Sequence, residues 1–258
     1  MATLKPTILL IPGLWHTPEC FNALRTELEE YGYETVSRQL PSIDCTDPSK
    51  HSAQSDADFV RSQLLLPLLD SGKRVVEVMH SYGGIPGSAA AYGLSEEERI
   101  KEGLKGGVVG LIFVASYVIP VEKTCSTCDE DTEHPPMVGF NIEENGNCTI
   151  SPEGAIHHFY NDLPTKEAQA WALRIKPAAF PVLVSQVHRT AHAQPVFRKR
   201  RSYIHCKKDT ALPFDLQKRF VAASGIQRAI TLDTDHSPFL SMPKKLAEIM
   251  VEQIDGFA

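Results

Sequence analysis

The sequence predicts an α/β fold, in which helices flank a mostly parallel β-sheet and an inserted, mainly helical cap covers one of its edges. Short runs rich in Val, Ile and Leu alternate with amphipathic stretches of helix length, which is typical of a parallel sheet. Residues 120–195 break this alternation. The chain has 258 residues, enough for one large domain with such an insertion.

Six segments have the composition of buried strands. Each is short, apolar and separated from the next by a longer stretch, which is the pattern expected of a parallel sheet covered by helices. The predicted strands are Thr7–Ile11, Thr35–Arg38, Val75–Met79, Val108–Ala115, Ser202–Cys206 and Arg228–Leu232.

Five amphipathic helices are predicted between and after these strands. Thr17 is a plausible N-cap for the first helix and Gly32 follows its end, while Pro67 is expected to bend or end the second. The predicted helices are Pro18–Tyr31, Asp56–Leu69, Ser95–Leu104, Pro213–Ser224 and Pro243–Ile254.

The stretch 120–195 opens with the acidic run EKTCSTCDEDTEHPP and becomes helical in TKEAQAWALRIK, with no strand expected. We predict that it forms a cap over a core made of residues 1–119 and 196–258. Open α/β sheets bind ligands at the carboxyl ends of their strands, so such a cap would shape a substrate pocket.

Composition narrows the classes of partner. The formal net charge of -6 gives no support for nucleic-acid binding, and the basic run RKRRS leads directly into an apolar strand. No stretch has the roughly 20 apolar residues of a membrane span, and TILLI is too short for a signal peptide. These features predict a cytoplasmic protein that does not bind a membrane. The sequence leaves open whether the protein forms a homodimer.

The six cysteines are expected to be reduced in that compartment. The motif CSTC, with Cys148 beyond it, is a single CxxC without a second ligand pair at zinc spacing, so loop cysteines are favoured over a metal site. The role of the cap cysteines stays open. Neither a glycine-rich phosphate loop nor HExxH occurs, and we expect no metal and no cofactor.

Ser81 stands where the predicted strand Val75–Met79 turns into a helix, in VVEVMHSYGG. This resembles the nucleophile elbow G-x-S-x-G, which holds a serine in a strained turn with its oxygen above the sheet. Met79 departs from the motif, because it occupies the place of the first glycine. A serine nucleophile further needs a base and an acid that orients it.

Asp209 and His236 are the predicted partners of Ser81. Each follows a predicted strand, and the order Ser, Asp, His is that of hydrolases with this elbow. Three other aspartates fit less well: Asp235 adjoins His236 and cannot easily turn back onto its ring, Asp233 is expected at the strand end, and Asp215 falls inside the following helix. His80 is expected to have a packing role.

The oxyanion hole would use the backbone N–H groups of Tyr82, directly after the nucleophile, and Leu14, in the loop after the first strand. We expect the substrate pocket to be lined by Trp15, by Phe159, Trp171 and His192 of the cap, and by Ser237. The simpler alternative is that most cap aromatics form the cap's own core.

The segments TILLIPGLWHTPECF, VVEVMHSYGG, SYIHCKKDTALP and DTDHSPFLSMP together resemble the α/β-hydrolase superfamily over the whole chain. Within it the chain is most similar to small esterases and hydroxynitrile lyases, including plant methyl-ester hydrolases. Still more similar are fungal proteins with FYNDLP and AQAWALRIKP in the cap, some associated with polyketide biosynthesis. The resemblance implies the roles given above for Ser81, Asp209, His236, Leu14 and Tyr82.

The expected activity is that of a serine hydrolase that cleaves a small, largely apolar ester or lactone through an acyl-enzyme, in fungal polyketide or other secondary metabolism. Two alternatives stay open: a lyase or cyclase with the same triad, and a non-catalytic ligand-binding protein. Hydroxynitrile lyases of the similar group carry a lysine directly after the catalytic histidine. Ser237 occupies that position here, so cyanohydrin cleavage is disfavoured.

Overall fold

Six parallel strands form the central sheet of the computed structural model, which describes residues 5–128 and 137–257. The strands in chain order are β1 (Thr7–Ile11), β2 (Thr35–Val36), β3 (Arg74–His80), β4 (Gly107–Val114), β5 (Phe140–Ile142), β6 (Asn147–Ile150), β7 (Ala178–Ala179), β8 (Arg201–Cys206) and β9 (Arg228–Leu232). In the central sheet their order is β2-β1-β3-β4-β8-β9, and every neighbouring pair is parallel. All six predicted strands are present.

Helices cover both faces of this sheet because its strands are apolar on both sides. The helices are α1 (Asn22–Glu30), α2 (Ala53–Phe59), α3 (Leu66–Asp70), α4 (Gly84–Ala90), α5 (Glu96–Lys101), α6 (Pro152–Phe159), α7 (Thr165–Ala172), α8 (Pro181–Val184), α9 (Phe214–Ser224), α10 (Pro238–Ser241) and α11 (Pro243–Asp255). Apolar residues of α1 and α11 pack on one face, and those of α2, α3 and α4 on the other. Within the described ranges, no helix is long and apolar enough to cross a membrane.

The predicted helix Asp56–Leu69 is divided into three parts. It begins earlier, at α2, where Ser52 and Ser55 form a capping box, and it widens into a π-helical turn over Val60–Leu65. Pro67 lies in the first turn of α3, where its missing N–H is not needed. The helical stretch therefore does not end at the proline but continues to Asp70, after the wider π-helical turn.

The cap segment, residues 120–195, contains strands that the sequence did not reveal. β5, β6 and β7 form a small antiparallel sheet beside α6, α7 and α8. The expectation that this segment has no strand is therefore wrong. These strands have only two to four residues and lack runs of β-branched side chains, so their composition does not distinguish them from loops. The acidic residues after Cys128 lie outside the described residues.

Glu77 is an ionisable group buried in the middle of β3, between Leu9 of β1 and Leu111 of β4. Neither carboxyl oxygen has a hydrogen-bond partner among the described residues. Burial raises the pKa of Glu77 well above its ordinary value, and the charge of Arg61 opposes this only in part. The carboxyl group is therefore protonated at neutral pH, since an ionised one would stay unsolvated.

We expect the buried proton on Glu77 to make folding pH-dependent. Above about pH 5 the unfolded chain releases this proton while the folded chain keeps it, so rising pH favours the unfolded state. The free energy of unfolding should fall, relative to that of Glu77→Gln, by about 1.4 kcal/mol per pH unit while folded Glu77 stays protonated. Urea unfolding between pH 5 and 8 measures the difference.

Glu144→Gln is the control, because Glu144 is an exposed glutamate whose replacement changes the formal charge equally. A constant difference between wild type and Glu77→Gln across this pH range would show that Glu77 is ionised in the folded protein.

Candidate active site

Ser81 lies in a strained turn directly after β3. Its φ is +51°, in the left-handed region that costs a non-glycine residue about 1–3 kcal/mol. The serine carbonyl accepts hydrogen bonds from the Tyr117 N–H at 3.1 Å and the Ser116 hydroxyl at 2.8 Å. A Cβ on Gly83 would lie 2.7 Å from the Pro12 carbonyl oxygen, so only glycine fits there. These contacts maintain the turn, and the Ser81 side chain faces a cavity.

Gly87 explains how the turn tolerates Met79 in place of the usual glycine. A Cβ on Gly87, in α4, would lie 2.7 Å from Met79 Cγ and 2.8 Å from its Sδ. The missing side chain at position 87 therefore provides the space that Met79 fills. Compensation of this kind depends on packing between a strand and a helix, which the motif alone does not show.

Asp209 and His236 form a buried pair in the loops that follow β8 and β9. His236 Nδ1 and Asp209 Oδ2 are 2.7 Å apart, and the two side chains are 2% and 0% exposed. The other carboxylate oxygen of Asp209, Oδ1, accepts the N–H groups of Ala211 and Leu212, both at 2.8 Å. Because a carboxylate only accepts, Nδ1 of His236 carries the proton and Nε2 is left as the base.

Gln217 is a polar residue of this site that sequence reasoning missed. Its side-chain nitrogen lies 3.1 Å from Asp209 Oδ2 and 2.7 Å from the Leu212 carbonyl, and its oxygen accepts the Cys206 N–H at 3.0 Å. It is fully buried on α9. The available signal was a glutamine between Leu216 and Phe220 on the apolar face of that helix.

The rival acids have other partners. Asp235 is buried but accepts the N–H groups of Asp162 and Ser237, so it orders the loop around His236. Asp233 pairs with Lys208, and Asp215 is an exposed residue that pairs with Lys218. None of the three is hydrogen-bonded to the His236 ring, whereas Asp209 is.

We call Pro12–His16 the oxyanion loop, because Leu14 within it is the predicted oxyanion donor. This loop approaches Ser81 very closely. A Cβ on Gly13 would lie 2.9 Å from the Ser81 Cβ, so the loop reaches this position only with glycine. Leu14 and Tyr82 both line the cavity with Ser81. The phenol of Tyr82 donates to Asp56 at 2.9 Å, which anchors its side chain on the far side of the turn.

Two further histidines lie beside His236 and are neutral. Burial lowers the pKa of His16 to about 4 and holds that of His80 well below its ordinary value. His80 Nε2 donates to the His236 carbonyl at 2.9 Å, and the two rings are 4.5 Å apart. The packing role expected for His80 agrees with these contacts, which place it behind the His236 backbone.

The cavity at Ser81 has a volume of about 240 Å³ and a largely apolar lining. Among the described residues around it there is no Asp, Glu, Lys or Arg. The lining residues are Leu14, Trp15, Ser81, Tyr82, Tyr117, Cys125, Ser126, Met137, Phe140, Phe159, Leu183, Ala211, Leu212 and His236. A small neutral molecule fits such a cavity better than a charged one, because nothing there would compensate a buried charge.

Trp15 and Phe159 are the two expected pocket residues that do line this cavity. The Phe159 ring lies 5.7 Å from that of Trp15 and 5.5 Å from that of His236. Sequence reasoning missed the wall formed by Tyr117, Cys125 and Ser126, since short loops gave no signal for it.

The structure places the other three expected pocket residues elsewhere. Trp171 borders a separate small cavity beside Thr17 and Cys20, and its ring lies 4.6 Å from the guanidinium of Arg174. His192 is buried against Ser88 at 3.1 Å, and burial lowers its pKa to about 4. Ser237 is buried and donates its N–H to Asp235, so it supports the loop below His236.

The cap cysteines do not belong to a metal-ligand cluster within the described ranges, where no group of three or more Cys, His, Asp or Glu could hold an ion. Cys125 lines the cavity, and Cys128 Sγ lies 3.1 Å from the Cys125 carbonyl. Burial raises the pKa of Cys125 well above its ordinary value, so it is a protonated thiol and a poor nucleophile.

Comparison with known sequences finds the same family that the turn at Ser81 indicated. The alpha/beta hydrolase family matches residues 8–249 of the chain. The chain belongs to the alpha/beta hydrolase family. Among its relatives, the alpha/beta hydrolase nvfD of Aspergillus novofumigatus is 29% identical over 241 residues, 93% of either chain. Methylesterase 7 of Arabidopsis thaliana is 22% identical and covers 97% of this chain and 96% of its own.

Solved structures of this family have the same fold. A mutant of polyneuridine aldehyde esterase superposes with a TM-score of 0.75 at 14% identity, over 96% of this chain and 99% of that one. The Arabidopsis methylesterase MES16 gives a TM-score of 0.71 at 21% identity, with 97% and 99% covered. The hydrolase fold that the sequence predicted is therefore confirmed.

We expect Gly87→Ala to destabilise the protein because its new methyl group would lie 2.7 Å from Met79 Cγ and from Ile11 Cδ1. Overpacking of this kind costs about 1–3 kcal/mol, which exceeds the gain of alanine over glycine in a helix. The same change should cost less in a Met79→Ala background, where the contact is relieved. Urea unfolding of the four proteins measures this coupling, and equal costs in both backgrounds would show that Met79 does not set the requirement.

Proposed function

We propose that this protein is a serine hydrolase that cleaves a small, neutral, largely apolar ester or lactone. The observation that carries the proposal is that Ser81, in its strained turn, and His236, held by Asp209, line the same uncharged cavity. Relatives named as methylesterases and neighbours named as esterases support this reaction class.

The mechanism we infer begins when Ser81 Oγ attacks the substrate carbonyl and His236 Nε2 accepts the hydroxyl proton. Asp209 holds the ring with Nδ1–H towards it and stabilises the imidazolium that forms. The N–H groups of Leu14 and Tyr82 would bind the oxygen of the tetrahedral intermediate, an effect worth about 3–4 kcal/mol per donor. Protonated His236 then releases the alcohol, and activated water hydrolyses the acyl-enzyme.

The substrate class follows from the lining of the cavity. Its size of about 240 Å³ suits a compact molecule, and aromatic rings of Trp15, Phe140 and Phe159 form one wall. The hydroxyl of Ser126 and the phenol of Tyr117 add some polarity to the lining. Together with the resemblance to fungal proteins associated with polyketide biosynthesis, this supports a polyketide-derived ester or lactone as the substrate.

Labelling with a fluorophosphonate tests the nucleophile. The wild-type protein should form a covalent adduct on Ser81, because His236 activates this hydroxyl, and Ser81→Ala should not. Intact-protein mass spectrometry measures the adduct, and turnover of a panel of 4-nitrophenyl esters and aromatic lactones measures hydrolysis. Equal labelling of both proteins would contradict the role of Ser81. Labelled Ser81 without turnover of any ester or lactone would favour the lyase or cyclase alternative.

Asp209→Asn should reduce kcat by about 10⁴-fold, as the loss of the orienting acid does in other triads. The amide oxygen must take the place of Oδ1, which accepts two backbone N–H groups, so the amide nitrogen faces His236. The imidazole then places its proton on Nε2 and can no longer act as base. Asp215→Asn is the matched control and should keep wild-type kcat. A large loss in Asp215→Asn alone would identify a different acid.

A further inference from the structure

Three hydrogen bonds link the cap segment to consecutive residues of the oxyanion loop. The Trp15 indole N–H donates to the Cys148 carbonyl of β6 at 3.1 Å. The Lys176 N–H donates to the Trp15 carbonyl at 3.0 Å. The Tyr160 hydroxyl lies 2.9 Å from Nε2 of His16. The loop that carries one inferred oxyanion donor is therefore held by the segment above it.

The direction of the last hydrogen bond is fixed by its partners. His16 Nδ1 lies 2.8 Å from the Leu14 carbonyl, which can only accept, so Nδ1 carries the proton. Burial lowers the pKa of His16 to about 4, so the ring is neutral and its Nε2 accepts. Burial also raises the pKa of Tyr160 well above its ordinary value, which keeps the phenol protonated as the donor. The bonds therefore run from Tyr160 to His16 and from His16 to Leu14.

The oxyanion loop needs this restraint because its backbone is strained. Trp15 has a φ of +65°, a left-handed conformation that a bulky residue adopts only when its surroundings impose it. The bond from His16 fixes the carbonyl of Leu14, and the two bonds on Trp15 fix the next residue. The Leu14 N–H lies between these two restraints, the fixed Leu14 carbonyl and Gly13 packed on Ser81, which together limit its orientation.

We propose that Tyr160 is a positioning residue for the oxyanion hole, acting through His16 on the backbone of Leu14. This inference rests on the proposed function, since it assigns Tyr160 to the stabilisation of the tetrahedral intermediate. The fold supports the assignment, because Tyr160 directly follows Phe159, and the latter lines the cavity and packs near the His236 ring. The end of α6 thus contacts the substrate cavity and the oxyanion loop with adjacent residues.

Tyr160→Phe tests the proposal, because it removes the hydroxyl and keeps the ring. We expect kcat and kcat/KM for a 4-nitrophenyl ester to fall together by about 10-fold, less than the 10²–10³-fold loss of a whole oxyanion donor, with KM within about twofold. Tyr33→Phe is the matched control. Tyr33 is also buried, but it lies just before β2, at the amino ends of the parallel strands, whereas the site lies at their carboxyl ends.

Inhibitor binding separates this role from a merely structural one. Trifluoroacetophenone adds to the serine and places an oxyanion in the hole, whereas acetophenone binds as a planar ketone. In Tyr160→Phe the inhibition constant of the trifluoromethyl ketone should rise by about 10-fold, in proportion to the loss of kcat/KM, while that of acetophenone stays unchanged. An equal rise for both ketones would mean that the substitution deforms the cavity, and it would overturn the proposal.

His16→Asn provides a second test that does not depend on the folding of Tyr160→Phe. The asparagine amide nitrogen can still donate to the Leu14 carbonyl, but the shorter side chain places no acceptor at the position of Nε2, where Tyr160 donates. We therefore expect a loss similar to that of Tyr160→Phe, and no further loss when the two changes are combined. Independent, multiplying losses would overturn the proposal.

The outcome also distinguishes this inference from the proposed function. A wild-type protein that neither reacts with the fluorophosphonate nor hydrolyses any ester contradicts the proposed function itself. An active wild type, with Tyr160→Phe as active as Tyr33→Phe, contradicts the role of Tyr160 alone.

Discussion

The site depends on a single close approach, between the chain leaving β1 and the chain leaving β3. Gly83 packs on the carbonyl groups of Ile11 and Pro12, while Gly13 packs on the Cβ of Ser81. Parallel pairing of β1 with β3 brings the two ends together, but side chains would hold them apart. This contact brings Leu14 and Ser81 to the wall of one cavity. The positive φ of Ser81 occurs at the same place, where the chain leaving β3 turns beside the loop.

The electrostatics of the site follow from how little charge lies around it. His16 and His80 are kept neutral by burial, so neither adds a positive charge beside His236. Asp209 is the acceptor on the Nδ1 side of the ring, and its remaining lone pairs are used by the backbone and by Gln217. An oxyanion forming in the same low-dielectric cavity would interact strongly with oriented N–H groups.

The sequence revealed the parts of this arrangement that depend on chain order and strand composition. Apolar runs such as Thr7–Ile11 predict strands directly, and the order of Ser81, Asp209 and His236 along the chain predicted a pair that the structure brings into contact. It did not reveal which way a cap side chain points. Trp171 and His192 were as plausible as Phe159 by residue type, and only helix orientation separates them. The side chain of Gln217 makes four hydrogen bonds, to Asp209, to the Leu212 carbonyl and to both backbone groups of Cys206. No local sequence pattern predicts these partners.

The two tasks of the cap segment constrain each other. Phe159, at the end of α6, and Phe140, in β5, line the cavity. Tyr160, directly after α6, and Cys148, in β6, are hydrogen-bonded to the oxyanion loop. Shifting α6 to admit a larger substrate would therefore move the Tyr160 hydroxyl away from His16 and release the strained backbone at Trp15. Among the described residues, Tyr117, Cys125 and Ser126, which also line the cavity, make no hydrogen bond to that loop. If the protein has the proposed function, substitutions at these three residues would alter the cavity without disturbing the Leu14 N–H.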